Sequence, residues 1–222
     1  MYKLPMIRHA VLFLLLTLLL VPRAGQAQQP APGMDGVDAV TDGPWGYGLR
    51  VRAGGRYDNV RMCVASSAGF PGGPAMDVTA FMEFGLSPEL ALVVDLPLLR
   101  PLLFGASFEM LQFEPEAGLL FRRPASANRS WIFGPTLGIS FHYGPDYHSE
   151  SSGEGRGPSF FAMGPRVGGY LGLSFERPGK SFDWEIGLHP YVTALFSIND
   201  DADHRGVVIG GTLDLQFRFG TR

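Results

Sequence analysis

The stretch Trp131–Tyr143, W-I-F-G-P-T-L-G-I-S-F-H-Y, decides the architecture. Trp131, Phe133, Pro135, Leu137, Ile139, Phe141 and Tyr143 alternate with Ile132, Gly134, Thr136, Gly138, Ser140 and His142. A period of two is that of a β-strand whose faces meet different surroundings, here one greasy and one mostly small or polar.

The same dyad recurs on both sides. Met163, Val167, Leu171, Leu173 and Phe175 oppose Gly164, Arg166, Gly168, Tyr170, Gly172 and Ser174. Trp184, Ile186, Leu188 and Val192 oppose Asp183, Glu185, Gly187, His189, Tyr191 and Thr193; Leu213, Leu215, Phe217 and Phe219 alternate with Thr212, Asp214, Gln216 and Arg218. Upstream, Tyr47, Leu49 and Val51 oppose Gly48, Arg50 and Arg52, and Val78, Ala80, Met82 and Phe84 oppose Asp77, Thr79 and Glu83. Leu90, Leu92, Val94 and Leu96 oppose Ala91, Val93 and Asp95, and Phe113, Pro115, Ala117, Leu119 and Phe121 oppose Gln112, Glu114, Glu116, Gly118 and Arg122. These runs predict eight strands.

The connections alternate in length. Short turns fall at Ser87–Glu89, Pro124–Ser130 and Arg177–Lys180; longer segments fall at Tyr57–Ala75, Arg100–Met110, Pro145–Pro158 and Asn199–Gly206. Short turns at one end, long loops at the other and an even strand count are the plan of a bacterial transmembrane barrel. With eight strands both termini lie at the short-turn end. The 30 Gly, 18 Pro and 17 Phe, with only 18% charged residues, fit turns and aromatic strands and disfavour an all-helical or charge-dense disordered chain.

The start of the chain carries an export signature. Lys3 and Arg8 precede an apolar run from Ala10 to Val21, and Ala24-Gly25-Gln26-Ala27 supplies small residues at cleavage spacing. The run ends at Pro22-Arg23, short of the 18 or so apolar residues that a membrane-spanning helix needs. Residues 1–27 are therefore expected to be a signal peptide, 28–44 a flexible periplasmic leader and 45–222 an outer-membrane barrel domain. Removing 1–27 takes away Lys3, Arg8 and Arg23 and no acidic residue, so the net charge falls from −3 to −6, which disfavours a nucleic-acid binder. Cys63, the single cysteine, excludes an intramolecular disulfide.

An eight-stranded barrel could also be a soluble ligand-binding cup with its apolar face inward. The polar face here is rich in Gly, Ser and Thr with isolated charges of both signs, which suits a narrow interior better than a water-facing surface. Trp131, Tyr143, Trp184 and Phe219, near strand ends, suit interfacial girdles.

The inward face then collects Arg50, Arg52, Arg122, Arg166 and Arg218 with Asp77, Glu83, Asp95, Glu114, Glu116, Asp183, Glu185 and Asp214. Buried charges persist when paired, so an ion-paired plug is expected, with Arg50 or Arg52 meeting Asp214 where the first and last strands close. A gated polar path for small solutes is the rival. Glu114 and Glu116 could in principle be paired catalytic carboxylates, but no cleft or motif accompanies them. Asp146, His148, Ser149 and Glu150 share one loop and have hydrolase residue types, which leaves a lipid-modifying enzyme as a further alternative. Asp200, Asp201, Asp203 and His204 could attract a hard cation, although a solvated loop tip accounts for them. The greasy loop 100–110 could extend a hairpin or face a partner. No catalytic residue, cofactor or metal site is expected.

This pattern resembles the small outer-membrane β-barrel proteins of Gram-negative bacteria, the class of the OmpA transmembrane domain and OmpX-like proteins, over roughly 45–222. The resemblance implies an all-β, eight-stranded antiparallel up-and-down transmembrane β-barrel. It also implies contact with outer-membrane lipid and lipopolysaccharide. The final strand, Gly211–Phe219, looks like the signal read by the barrel-assembly machinery, carried by Leu213, Leu215, Phe217 and Phe219. It departs from the usual pattern in that Gly220-Thr221-Arg222 follow the terminal aromatic. Strand patterning is shared by many functions, so it names no specific task.

Overall fold

The computed structural model describes residues 45–59, 71–100, 111–145, 159–176, 182–198 and 205–220, the side chains of 45, 145, 159 and 160 excepted. Nine strand segments form one antiparallel sheet: β1 Trp45–Asp58, β2 Gly72–Ser87, β3 Leu90–Pro97, β4 Leu111–Phe113, β5 Glu116–Ser126, β6 Arg129–Pro145, β7 Ser159–Phe175, β8 Phe182–Ser197 and β9 Gly206–Gly220. Eight of them close a ring in the order β6-β5-β3-β2-β1-β9-β8-β7 and back to β6. The closing seam joins β1 to β9 from Gly46–Gly220 to Asp58–Val208.

The extra segment comes from a break in the expected 112–122 strand. β4 pairs with β6 at Leu111–Tyr143 and Phe113–Phe141, and β5 resumes on the same side of β6 at Glu116–Gly138. Pro115 lies at the break, where it has no N–H to give to a ladder. Its carbonyl still accepts from Ile139 N, so the line of the strand is kept.

Other boundaries shift outward from the sequence expectation. Tyr57 and Asp58 belong to β1, and Gly72–Ala75 to β2, residues that composition had assigned to the first long loop. The ladder extends because the closed neighbours continue to supply partners there, down to Tyr57–Gly72. The expected 124–130 turn contracts to Ala127-Asn128. The Arg177–Lys180 turn, the Pro145–Pro158 loop beyond its first residue, and the cores of the other long loops lie outside the described residues.

The alternation sets which face is which. Leu137 is 64% exposed and Leu188 55%, on the outside, whereas Arg50 is 2% and Asp214 0% exposed, on the inside. A soluble cup would show the reverse. Aromatic rings gather on the outer face towards the short-turn end: Phe121 stacks on Phe133 at 5.9 Å, Phe175 on Trp184 at 4.0 Å, and Phe182 meets Phe219 at 5.2 Å. Among the described residues no helix is long and apolar enough to cross a membrane, which says nothing against a barrel.

Candidate functional site

The interior is built from alternate residues of every ring strand and is filled in layers. At its centre Arg52, from β1, touches three carboxylates: Nη2 lies 2.8 Å from Glu116 Oε1 and 3.4 Å from Asp95 Oδ2, and Nε 3.2 Å from Asp214 Oδ2. The Arg52–Asp214 contact crosses the seam between register partners. Arg50 pairs with Asp95 at 2.8 Å and donates through Nε and Nη2 to Gln216 Oε1. His189 Nε2 sits 3.3 Å from Glu116 Oε2 and 3.2 Å from Thr136 Oγ1. Thr79 and Thr212 hydroxyls donate to Asp95 and Asp214.

Towards the long-loop end, Glu114 is the hub. Arg100 Nη1 lies 2.6 Å and Arg166 Nη1 3.0 Å from its Oε2, and Ser140 donates to its Oε1 at 2.7 Å. Arg100 also reaches Asp77 at 3.5 Å, and the Arg166 guanidinium lies 3.5 Å from the Tyr191 ring centroid. Towards the short-turn end, Arg218 pairs with Glu83 at 3.0 Å and approaches Asp183 at 3.9 Å, while Arg122 lies 3.6 Å from Glu83 and 3.3 Å from Glu176.

Between the centre and the short-turn end lies an apolar layer of Phe81, Val93, Leu120, Ile132 and Tyr170. The Arg50 guanidinium packs over two of its rings, 5.5 Å from Phe81 and 5.1 Å from Tyr170. Glu185, 4% exposed, shares with Glu83, Arg122 and Gln216 the lining of a cavity of about 10 Å³. That is room for about one water and not for a solute.

Of the thirteen charged residues named from the polar face, Arg50, Arg52, Asp77, Glu83, Asp95, Glu114, Glu116, Arg166, Asp183, Glu185, Asp214 and Arg218 are buried and Arg122 is part-buried, and most meet at least one opposite charge. Arg56, Arg100, Gln112, His142, His189 and Gln216 were not singled out as members, and neither was Phe81. Strand alternation already sets Gln112, His142, His189 and Gln216 on the polar face; nothing local marks Arg100, which follows the end of β3 and reaches in from there.

Ser140, His142 and Glu114 bring nucleophile, base and acid types together, yet in the wrong order for nucleophilic catalysis. Ser140 Oγ lies between the other two, 2.7 Å from His142 Nε2 and 2.7 Å from Glu114 Oε1, whereas a working triad places the imidazole in the middle. Ser140 and His142 are both fully buried. The loop candidates Asp146, His148, Ser149, Glu150, Asp200, Asp201, Asp203 and His204, and Cys63, lie outside the described residues. Among the described residues no group of three or more His, Cys, Asp or Glu is arranged to hold a metal ion.

Tight contacts with glycine fix the Tyr170 ring: a Cβ at Gly187 would overlap its hydroxyl and ring. Gly187→Val is therefore expected to destabilise the refolded barrel by about 1–3 kcal/mol. Gly169→Val, whose Cβ would meet only the Gly134 carbonyl at 3.7 Å on the outside, should stay near neutral. Urea unfolding of the two variants beside the parent chain checks the difference.

No family model matches the chain and no curated protein matches it. Solved structures do. The crystal structure of Neisserial surface protein A aligns over 79% of this chain and 96% of its own, with a TM-score of 0.53 at 12% identity. The chain has the Neisserial surface protein A fold. The N-terminal β-barrel domain of Pseudomonas aeruginosa OprF also aligns, over 77% of this chain and 96% of that one, at a TM-score of 0.35 and 8% identity. The break at Pro115 leaves the eight-stranded ring intact, and at such identity the likeness concerns the fold alone.

Proposed function

We propose that this chain is an outer-membrane β-barrel protein with a structural or surface-interaction role and a sealed interior. The observation that carries the reading is the inversion of faces: an apolar outer wall encloses a lumen filled by paired arginines and carboxylates. Hydrocarbon makes such an outer wall favourable, and a closed ring satisfies the backbone of a sheet there. The export signature in residues 1–27 supports delivery to the envelope, with 28–44 as a leader on the periplasmic side. Leu213, Leu215, Phe217 and Phe219 suit an assembly signal, all on the outer face of β9. Surface contacts then fall to the long loops, among lipid and lipopolysaccharide, and a protein partner there is unidentified. No catalytic role is proposed.

Three tiers of ion pairs and an apolar layer block the lumen, so the full chain in planar bilayers is expected to carry no steady current. Sustained single-channel openings would overturn the sealed interior in favour of a narrow channel. Recovery from a Gram-negative host as a soluble periplasmic protein, with gel migration unchanged by boiling, would overturn the membrane reading itself.

A further inference from the structure

We infer that Arg123 and Arg129, on the outer face at the short-turn end, hold the phosphate of an anionic phospholipid. The inference rests on the membrane reading and adds a ligand to it. Arg129 opens β6, is exposed, and shares its face with Trp131 two residues on. Its guanidinium lies 5.6 Å from the Phe175 ring centroid, a cation–π contact that holds it against the outer wall. No carboxylate lies within ion-pair distance of it among the described residues. Arg123 is the register partner of Trp131 on β5, so the two arginines flank one half-exposed indole.

Arg123 differs in having a partner. Its Nη1 lies 2.7 Å from Glu89 Oε2, with side chains 39% and 57% exposed. The pair sits at the water edge, where such contacts are weak and exchangeable. One guanidinium with no carboxylate beside it among the described residues and one loosely held one, beside stacked aromatics at an interfacial girdle, match a phosphate ester with a net negative charge. A zwitterionic headgroup brings its own cation and gains less. About fivefold preference per freed arginine is the scale expected at a membrane surface.

Trp131 reports directly on this site. In the full chain, Trp45→Phe and Trp184→Phe leave it the single emitter of the three tryptophans. The protein is refolded into phosphatidylcholine vesicles, and quenching is compared for brominated-chain phosphatidylglycerol and brominated-chain phosphatidylcholine at equal mole fraction. The expected result is an association ratio of about fivefold in favour of phosphatidylglycerol. The ratio should fall towards one in Arg129→Gln, persist in Arg129→Lys, and rise in Glu89→Gln, which releases Arg123. Equal quenching by the two lipids in the parent chain overturns the inference, as does a ratio unchanged in Arg123→Gln/Arg129→Gln. If that double variant fails to refold, the Glu89→Gln arm decides, since an unmoved ratio there denies the site its second arginine. Absence of quenching by either lipid would overturn the membrane reading instead.

Discussion

Arg52→Met is expected to lower the stability of the refolded barrel by about 3–5 kcal/mol, read as the shift in urea midpoint in lipid vesicles. The side chain is 7% exposed and neutralises Glu116, Asp95 and Asp214 together. Methionine keeps most of the length and removes the charge. Asp95 would retain Arg50, but Glu116 would be left with Arg166 at 3.5 Å and His189 at 3.3 Å, and Asp214 with the Thr212 hydroxyl and His189 at 3.9 Å. Two under-compensated carboxylates in a closed lumen are costly, whereas the exposed Arg123–Glu89 pair should contribute about 0–1 kcal/mol. Adding Glu116→Gln to Arg52→Met should recover part of the loss, because it removes one of the orphaned charges. A midpoint within about 0.5 kcal/mol of the parent, the range of an ordinary surface change, would mean that the interior is hydrated and the network slack.

Leu137→Arg tests the other face. Leu137 lies midway along β6, the longest outer wall segment together with β7, and is 64% exposed. On a soluble protein, arginine there would be harmless or would improve solubility. In a bilayer it stands near the midplane, where arginine on the lipid face of a barrel costs about 2–4 kcal/mol. The same substitution at Met76, 60% exposed but only two outward positions from the long-loop end of β2, should cost about 0–1 kcal/mol. A depth-dependent pair of values places Leu137 deep in hydrocarbon and Met76 near its edge. Equal, near-zero values would return the apolar wall to some other covering.

The parity of each strand is legible in the sequence because it needs no knowledge of neighbours: Arg50 and Arg52 share a face with each other and not with Leu49 or Val51, whatever lies alongside. For that reason the ring, the short turns at Pro88 and Ala127, and the inward set of charges follow from alternation alone. Pairing does not. Arg52 meets Asp214 because the seam register puts them opposite each other, and it meets Glu116 across the lumen, a distance of 64 residues in the chain that only barrel shear sets. The seam contact expected for Arg50 or Arg52 goes to Arg52, while Arg50 takes the Gln216 amide. Phe81, Val93 and Ile132 obey inward parity yet look like outward residues, so composition alone does not announce an apolar layer inside a mostly small or polar face. Their layer shows that a narrow interior accepts any side chain that fills it. Arg100 was invisible for another reason, since it enters from beyond a strand end with no period to betray it.

The seam has a consequence for the order of events during assembly. Arg52–Asp214, Arg50–Gln216 and Arg218–Glu83 each join the first two strands to β9, so these three contacts form only when β9 has arrived, while Arg50 and Arg52 already have Asp95 and Glu116. An open, partly built sheet in hydrocarbon would expose its charged inner face along with a raw edge of unpaired backbone groups. Threading into the bilayer strand by strand is therefore uphill until the final step. On the membrane reading, the ring has to be nearly shut before it is released into lipid, and β9, the fifteen residues Gly206–Gly220, acts as the latch that closes the seam against β1.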